Sequence, residues 1–505
     1  MCGIFAIVNS ETDNNEEYNY FMRGQHRGPD DTAFQQYDEV TFGFHRLAIN
    51  GLDSVSNQPL SIDGIHLICN GEVYNYPELY ESLNITPRTH SDCEIIIHLY
   101  KAFGIQHTLQ TIHASEFAFV LYDSNQHVVY AARDPYGVRP LFKGVHDNTM
   151  CYASEMKMIP SGMTITPVLP STYTDGTQVY TYASLPSINP GLIDPHKLIQ
   201  DTLYESVCRR VIHTERPIAC LLSGGLDSSL IASLVTKYLR ESGSTLQLET
   251  YSIGLEGAED LKYASIVATY LGSKHTSIVL KEEDFLAAIP EVIYATETYD
   301  TTTIRASVGN FLVAQYIKNH SDAKVIFNGD GADEVCGGYL YLKNAPNEVE
   351  FDKECRRLVK DIHYFDALRS DRCISYHGLE ARTPFLDRAF VEMYLSIPTE
   401  YRYTQCEKEL LRRSFEGILP WEILWRRKEA FSDGVSSLHN SWYAIIQRSI
   451  PPYIQNEYGN TTLTQEQFYY KKIYDSCFSF SVLPYYWMPK YTTSTDCSAR
   501  TLETY

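Results

Sequence analysis

No Gly-Lys pair occurs anywhere in this chain of 505 residues. A Walker A phosphate loop needs a lysine after its last glycine, so that nucleotide cradle is excluded. The 12 cysteines include no Cys-x-x-Cys pair and no regular spacing, which argues against a zinc or disulfide framework. Cys69 and Cys220 instead lie inside apolar runs, where a free thiol packs as a small hydrophobe. The pattern reads as the reduced cysteines of a cytoplasmic protein. No uncharged apolar run reaches the length of a membrane span. The first residues lack the basic-then-apolar order of a secretory signal. Positive charge is scarce, with 42 Lys and Arg against 63 Asp and Glu, a net charge of −21. A nucleic-acid binder would carry basic patches, so neither nucleic acid nor a membrane is an expected partner. Internal repeats and long low-complexity tracts are also absent.

What remains is a globular composition, 44% hydrophobic and 21% charged. At roughly 100–200 residues per domain the length suggests two to four domains. Tyrosine is unusually frequent, at 39, and no function follows from that. The most informative stretch is Leu221-Leu222-Ser223-Gly224-Gly225-Leu226-Asp227-Ser228-Ser229. Residues 217–222 read as a buried strand, and residues 228–239 as a helix with Leu230, Ile231, Leu234 and Val235 on one face. Gly224 and Gly225 allow backbone amides to turn toward a ligand, and the helix N-terminus behind them favours an anion. Asp227 inside such a cradle makes sense when a cation such as Mg²⁺ bridges it to phosphate. A bare Gly-Gly here would be an ordinary strand–helix turn capped by serine. The full Ser-Gly-Gly-Leu-Asp-Ser-Ser resembles the pyrophosphate-binding loop of the ATP pyrophosphatases, which adenylate a carboxylate or carbonyl substrate and release pyrophosphate.

The N-terminal part opens Met1-Cys2-Gly3-Ile4 and runs into a strand. Removal of Met1 would leave Cys2 with an α-amino group of ordinary pKa about 7.7–8.0, able to act as general base for its own thiol. Arg27-Gly28-Pro29-Asp30-Asp31 reads as a polar turn, and residues 41–50, which carry Arg46, as a strand. Residues 65–69 form another strand, followed by Asn70-Gly71-Glu72. Asn-Gly there is either a hairpin turn or a side-chain amide and a backbone N–H aimed at one oxyanion. Residues 76–83 suggest a helix, and Ser91-Asp92-Cys93-Glu94 looks like the cap of the next one. Strands are expected at 116–122, 127–132 and 140–142, with Arg133-Asp134-Pro135-Tyr136-Gly137 as a turn.

Cys2-Gly3-Ile4, His26-Arg27-Gly28-Pro29-Asp30, Asn70-Gly71-Glu72, Ser91-Asp92-Cys93-Glu94 and Arg133-Asp134 together resemble the class II glutamine amidotransferase domain, five motifs in order. That resemblance implies an N-terminal-nucleophile αββα sandwich. It implies that Cys2 attacks the glutamine amide while Asn70 and the Gly71 amide hold the oxyanion. Arg46 would bind the α-carboxylate as a fork, Asp92 the α-ammonium, and Glu72 would line the pocket. As plain residues, Arg46 is a surface charge and Asp92 a helix cap. His26 and His45 are read as structural. Ser115-Glu116-Phe117 departs from the family, which usually has a small residue or Gly before the aromatic.

Residues 186–190 read as a linker between a domain over 2–185 and one over 191–505. A helix is expected over 195–211. Strands (248–253, 275–280, 324–328) then alternate with helices (260–271, 305–318), the pattern of a doubly wound parallel sheet. Ligands in such sheets bind at the carboxyl ends of the strands, where the Ser223 loop, Ile253 and Asn328-Gly329 fall. Asn328-Gly329-Asp330-Gly331-Ala332-Asp333-Glu334 is an acidic turn. Facing a phosphate cradle it calls for metal, so Asp227 and Asp333 are the expected Mg²⁺ ligands.

The later segments 379–387, 407–412, 425–434, 486–490 and 498–502 read as helix surfaces and loops. In their order behind the Ser223 loop and the Cys2 motifs they resemble the glutamine-hydrolysing asparagine synthetases across nearly the whole chain. The resemblance implies glutamine, aspartate and ATP as substrates, with glutamate, AMP, pyrophosphate and asparagine as products. It also implies a β-aspartyl-AMP intermediate and an apolar ammonia tunnel between the domains. Leu222, Ser223, Gly224, Gly225, Asp227, Ser228, Ile253, Asn328 and Gly329 would contact ATP. Lys408 would stabilise the adenylation transition state, although Glu407-Lys408-Glu409 also reads as a solvated charge run. Asp330 stands where the family usually carries Glu, one methylene longer. A carboxylate shifted by ~1 Å can cost about 10²-fold in rate. Two alternatives stay open, an amidotransferase for another carboxylate and a catalytically silent binding paralogue. A β-lactam synthetase relative would not need the Cys2 set, and phosphoribosyl amidotransferases or sugar isomerases lack the Ser223 loop. The assembly is open, a homodimer included.

Overall fold

The buried run Gly3–Val8 is the spine of the first half. It pairs antiparallel with Val40–Arg46 on one side and Thr149–Ala153 on the other. With Asp31–Tyr37, Phe142–His146 and Thr164–Pro167 it makes a six-stranded sheet. A second six-stranded sheet is centred on Ile65–Val73 and Ser115–Asp123. The structure, a computed structural model, describes residues 1–10, 14–457, 462–480 and 485–502. Inward side chains of both sheets share one apolar cluster, with Ile4, Ala6 and Phe42 against Ile68, Ala118 and Val120. Outward faces are covered by helices: Ile95–Phe103 lies over Leu67 and Phe119, and Phe21 of the helix Asn14–Met22 over Phe5 and Ile7. This is the expected αββα sandwich.

The second half is built on a five-stranded sheet in the order Lys274–Leu280, Glu249–Leu255, Ile218–Leu221, Val325–Phe327, Glu380–Arg382. Every pair in it is parallel. The two-residue alternation of strands sorts its core. Cys220 and Phe327 face the helices Leu226–Glu241 and Glu259–Leu271, while Ala219 and Ile326 face Glu282–Thr296 and Thr301–His320. Helices therefore cover both faces, as the alternating pattern predicts.

Two expectations need correction. Asn70, Gly71 and Glu72 do not follow their strand but lie within it, paired with Ala118, Phe117 and Glu116. Ladder hydrogen bonds from the neighbouring strand extend the element past the end of its apolar run, so the hairpin reading is excluded. Residues 379–387 hold the fifth parallel strand, Glu380–Arg382, rather than only helix surface and loop. Two charged residues in three give no apolar signature. They are buried all the same, because Arg382 donates to Glu380 at 2.9 Å and lies 3.5 Å from Glu72 of the first half. Among the described residues no helix is long and apolar enough to cross a membrane.

Candidate functional site

The carboxyl ends of three parallel strands open into a cleft of about 1260 Å³, counting space open to solvent. Leu222, Ser223, Gly225, Asp227, Ser228, Ile253, Asn328 and Gly329 line it, as do Asp330, Asp333 and Lys408. The turn is held by its own serines: Ser223 N donates to Ser228 Oγ at 3.1 Å, and Gly225 N donates to Ser223 Oγ at 3.2 Å. Helix Leu226–Glu241 starts here, so its unpaired amides and dipole face the cleft. Gly224 is the one member of the expected set that does not line the cleft. Its φ is +71°, and a Cβ would sit 2.3 Å from the Tyr263 carbonyl carbon. Glycine is needed there to let the turn pack on the helix Glu259–Leu271.

Asp227 of the turn and Asp333 of the facing loop share two ammonium groups. Lys408 Nζ lies 2.7 Å from both Asp227 oxygens and 2.5 Å from Asp333 Oδ1. Lys428 Nζ lies 2.5 Å from Asp333 Oδ2 and 3.7 Å from Asp227 Oδ2. Burial opposes the Asp333 carboxylate, but the two ammoniums outweigh it and hold its pKa well below the usual range. Lys408 is not a solvated helix charge: it is buried, with left-handed backbone (φ +54°), at the start of the helix Glu409–Ser414. Its stem passes Gly338, where a Cβ would come within 1.9 Å of Lys408 Cε and 2.1 Å of Asp333 Oδ1.

Asp330 is held from the far wall by Arg369, whose Nη2 donates to Oδ1 at 2.8 Å, while Oδ2 is buried without a hydrogen-bond partner. Asn328 Nδ2 donates to Ser370 Oγ at 2.6 Å. Among the described residues no group of three or more His, Cys, Asp and Glu is placed to hold a metal. The two carboxylates do converge on one cation, the Lys408 ammonium. A pair of carboxylates completed by substrate phosphates is the donor set Mg²⁺ takes, so the residues fit that ion.

The expected glutamine-site residues lie in the first domain with Cys2. Its thiol donates to Leu47 O at 3.7 Å, and its main-chain carbonyl accepts from Arg27 Nε at 2.9 Å. Met1 is buried, and its ammonium donates to Leu379 O at 3.1 Å. Burial pushes the Cys2 thiol up to about 11, and lowers the Met1 amine to about 6. Asn70 is fully buried, and neither its Nδ2 nor its Oδ1 has a hydrogen-bond partner. Buried polar atoms are nearly always paired, and both polar atoms of this side chain are exceptions. Glu72 accepts from Asn50 Nδ2 at 2.6 Å. Asp92 accepts from Val73 N at 2.7 Å, and burial raises its carboxyl to about 6. The cap is Ser91, whose Oγ accepts from Cys93 N at 3.3 Å. Arg46 is buried, not a surface charge. It donates to Asp53 O at 2.8 Å, to Gly51 O and to the Asn57 side chain, and so ties down the loop 50–57. His45 stacks on Phe21 with ring centres 3.9 Å apart, and His26 lies 3.2 Å from Glu155, both in supporting positions.

Residues 1–186 match the family model of the glutamine amidotransferase domain. Residues 198–350 and 343–480 match that of asparagine synthase. Relatives named "asparagine synthetase [glutamine-hydrolyzing]" from Cricetulus griseus, Gallus gallus and Homo sapiens are 38%, 38% and 37% identical. Those alignments cover 100% of this chain and 99% of each relative. The chain belongs to the glutamine-hydrolysing asparagine synthetases. Among solved structures, a glutamine phosphoribosylpyrophosphate amidotransferase from B. subtilis covers 56% of this chain and 91% of its own at 16% identity and TM-score 0.32. An NMN synthetase from Francisella tularensis covers 58% and 99% at 13% and 0.24. Those two likenesses are too weak to carry any assignment.

Several side chains at the two clusters were given no role by the sequence, although Lys428, Arg426 and Arg382 lie in segments that carry the resemblance. Lys428 sits in the basic run Arg426-Arg427-Lys428. Arg426 from the same run donates to Ser223 O at 3.3 Å and to Asp260 at 2.8 Å. Arg369 and Arg382 look like ordinary helix and loop charges. The signal that could have found them is the surplus of acids in the facing loops, which must be neutralised when buried.

Proposed function

We propose that this member of the family makes asparagine from aspartate, ATP and glutamine, with the division of labour 2–185, linker 186–190 and 191–505. The reading is carried by one observation: all of the expected ATP set except Gly224 lines a single cleft together with Asp330, Asp333 and Lys408. In the first domain the Cys2 sulfur attacks the glutamine carboxamide carbon, after loss of Met1 gives it a free amine as base. Asn70 Nδ2 and the Gly71 N–H hold the oxyanion. Arg46, Glu72 and Asp92 bind the amino-acid end of glutamine. Ammonia leaves, and water releases glutamate from the thioester.

In the second domain the aspartate β-carboxylate attacks the α-phosphorus of ATP, pyrophosphate leaves, and β-aspartyl-AMP forms. Lys408 stabilises charge on the phosphates, and Asp330 handles the approach of ammonia, which displaces AMP. Asp227 and Asp333 would hold Mg²⁺, which would supply positive charge against the pyrophosphate leaving group. Ammonia passes between the domains along an apolar path, unprotonated. We place the chain in the cytoplasm from its free, mostly buried cysteines. A homodimer is checked by sedimentation.

The test is incubation with glutamine, Mg²⁺-ATP and one carboxylic acid at a time, following pyrophosphate and amide product. Aspartate is expected to give both. An active glutamine hydrolysis with no asparagine would favour the second reading, another acceptor acid, which the shorter Asp330 side chain motivates.

A further inference from the structure

One ten-residue helix, Asp366–Ser375, touches both clusters. At 1.5 Å per residue it is about 15 Å long, and nearly all of it is buried. On one face Arg369 donates to Asp330 at 2.8 Å and Ser370 accepts from Asn328 at 2.6 Å. Both partners belong to the nucleotide cleft. On another face, Asp371 and Ser375, four residues apart and therefore adjacent, reach into the first domain. Asp371 accepts both ends of the Arg27 guanidinium, at 2.8 and 3.0 Å, and Ser375 Oγ accepts a third bond at 2.9 Å. The remaining Arg27 Nε donates to the main-chain carbonyl of Cys2.

The guanidinium is planar and its donors are fixed in one fork. Its Nη atoms are committed to the helix and to Glu155. Where the helix sits therefore sets where Nε points, and Nε holds the backbone of Cys2. A carboxylate of the second domain is thus needed to complete the geometry of the first.

We propose that Asp371 is a positioning residue for glutamine hydrolysis, and that the helix Asp366–Ser375 transmits the state of the nucleotide cleft to Cys2. Asp330 and Asn328 sit where ATP and aspartate are proposed to bind, so a ligand that shifts them shifts Arg369 and Ser370. The same rigid turn carries Asp371. The inference rests on the assignment of Cys2 as glutamine nucleophile, and the wild type tests that assignment separately.

The experiment uses the full chain and measures glutamate release with and without Mg²⁺-ATP and aspartate, together with asparagine formation from ammonium. Wild-type kcat for glutamine is expected to change at least ~5-fold when the cleft is filled, within the usual range of coupling. Asp371→Asn is expected to lower that kcat about 10²-fold, the effect of a small misplacement, with glutamine KM unchanged and ammonium-dependent synthesis retained. The response to ATP and aspartate should vanish with it. A buried charge left unpaired can unfold a domain, so Arg27→Met/Asp371→Leu, which removes both charges, is made alongside and should show the same separation. Either variant with wild-type glutamine kcat, or with both activities falling in parallel, overturns the positioning role. A wild-type kcat indifferent to ATP and aspartate overturns the coupling. A wild type that hydrolyses no glutamine would instead overturn the assignment of Cys2.

Discussion

Lys408 holds Asp227 with its ammonium 2.7 Å from each carboxylate oxygen, in a position only 3% exposed. A charge pair so enclosed has a cost of desolvation. On the proposed reading that cost has a use, since the ammonium would stand ready for charge that develops on the phosphates. Lys408→Met should lower pyrophosphate formation by about 10²–10³-fold, the usual loss for one electrostatic donor. Glutamine hydrolysis measured on the same sample should persist.

Gly338 gives a second handle on the same lysine. A methyl group there would overlap Lys408 Cε and Asp333 Oδ1. Gly338→Ala should therefore depress pyrophosphate formation, although Gly338 itself does not line the cleft. A crystal structure of the variant should find Lys408 displaced from Asp333.

The acidic limb of glutamine use follows from Asp92. Burial raises its carboxyl to about 6, well above the ordinary 3.9, although the Val73 amide opposes the shift. The folded chain thus binds this proton more tightly than the unfolded chain. The stability it adds is full below about pH 4 and is lost as pH rises through about 6. Its negative charge, which the proposed contact with the substrate ammonium needs, exists only above that point. Glutamine KM should rise roughly tenfold per unit below pH 6, read from initial rates of glutamate release across pH 4.5–8.

Asp330 offers a test of its charge. Its Oδ1 is fixed by Arg369 and its Oδ2 has no partner. Asp330→Asn keeps the shape, loses the ion pair, and should cut asparagine formation about 10²-fold while ATP protection of the chain from heat remains.

The parallel sheet and the Ser223 turn were legible because their chemistry is local: an apolar strand, small residues at the turn, and a helix with one apolar face. The charged strand Glu380–Arg382 was not, since its burial depends on Glu72, some three hundred positions away. Asn70 lay one step past the strand expected over residues 65–69, and only pairing with Ala118 shows that the strand continues. Lys428 reads as solvated because nothing in its own run reveals that Asp333 lies 2.5 Å away. What stayed hidden is therefore mostly long-range charge pairing, the part of a site that local periodicity does not encode.

The most direct measurement compares two nitrogen donors in one variant. Cys2→Ala, given Mg²⁺-ATP and aspartate, should form no asparagine from glutamine and should form it at near wild-type rate from ammonium. Loss of both routes, or asparagine still made from glutamine, would contradict the account of a Cys2 site feeding ammonia to a separate cleft at Asp227 and Lys408.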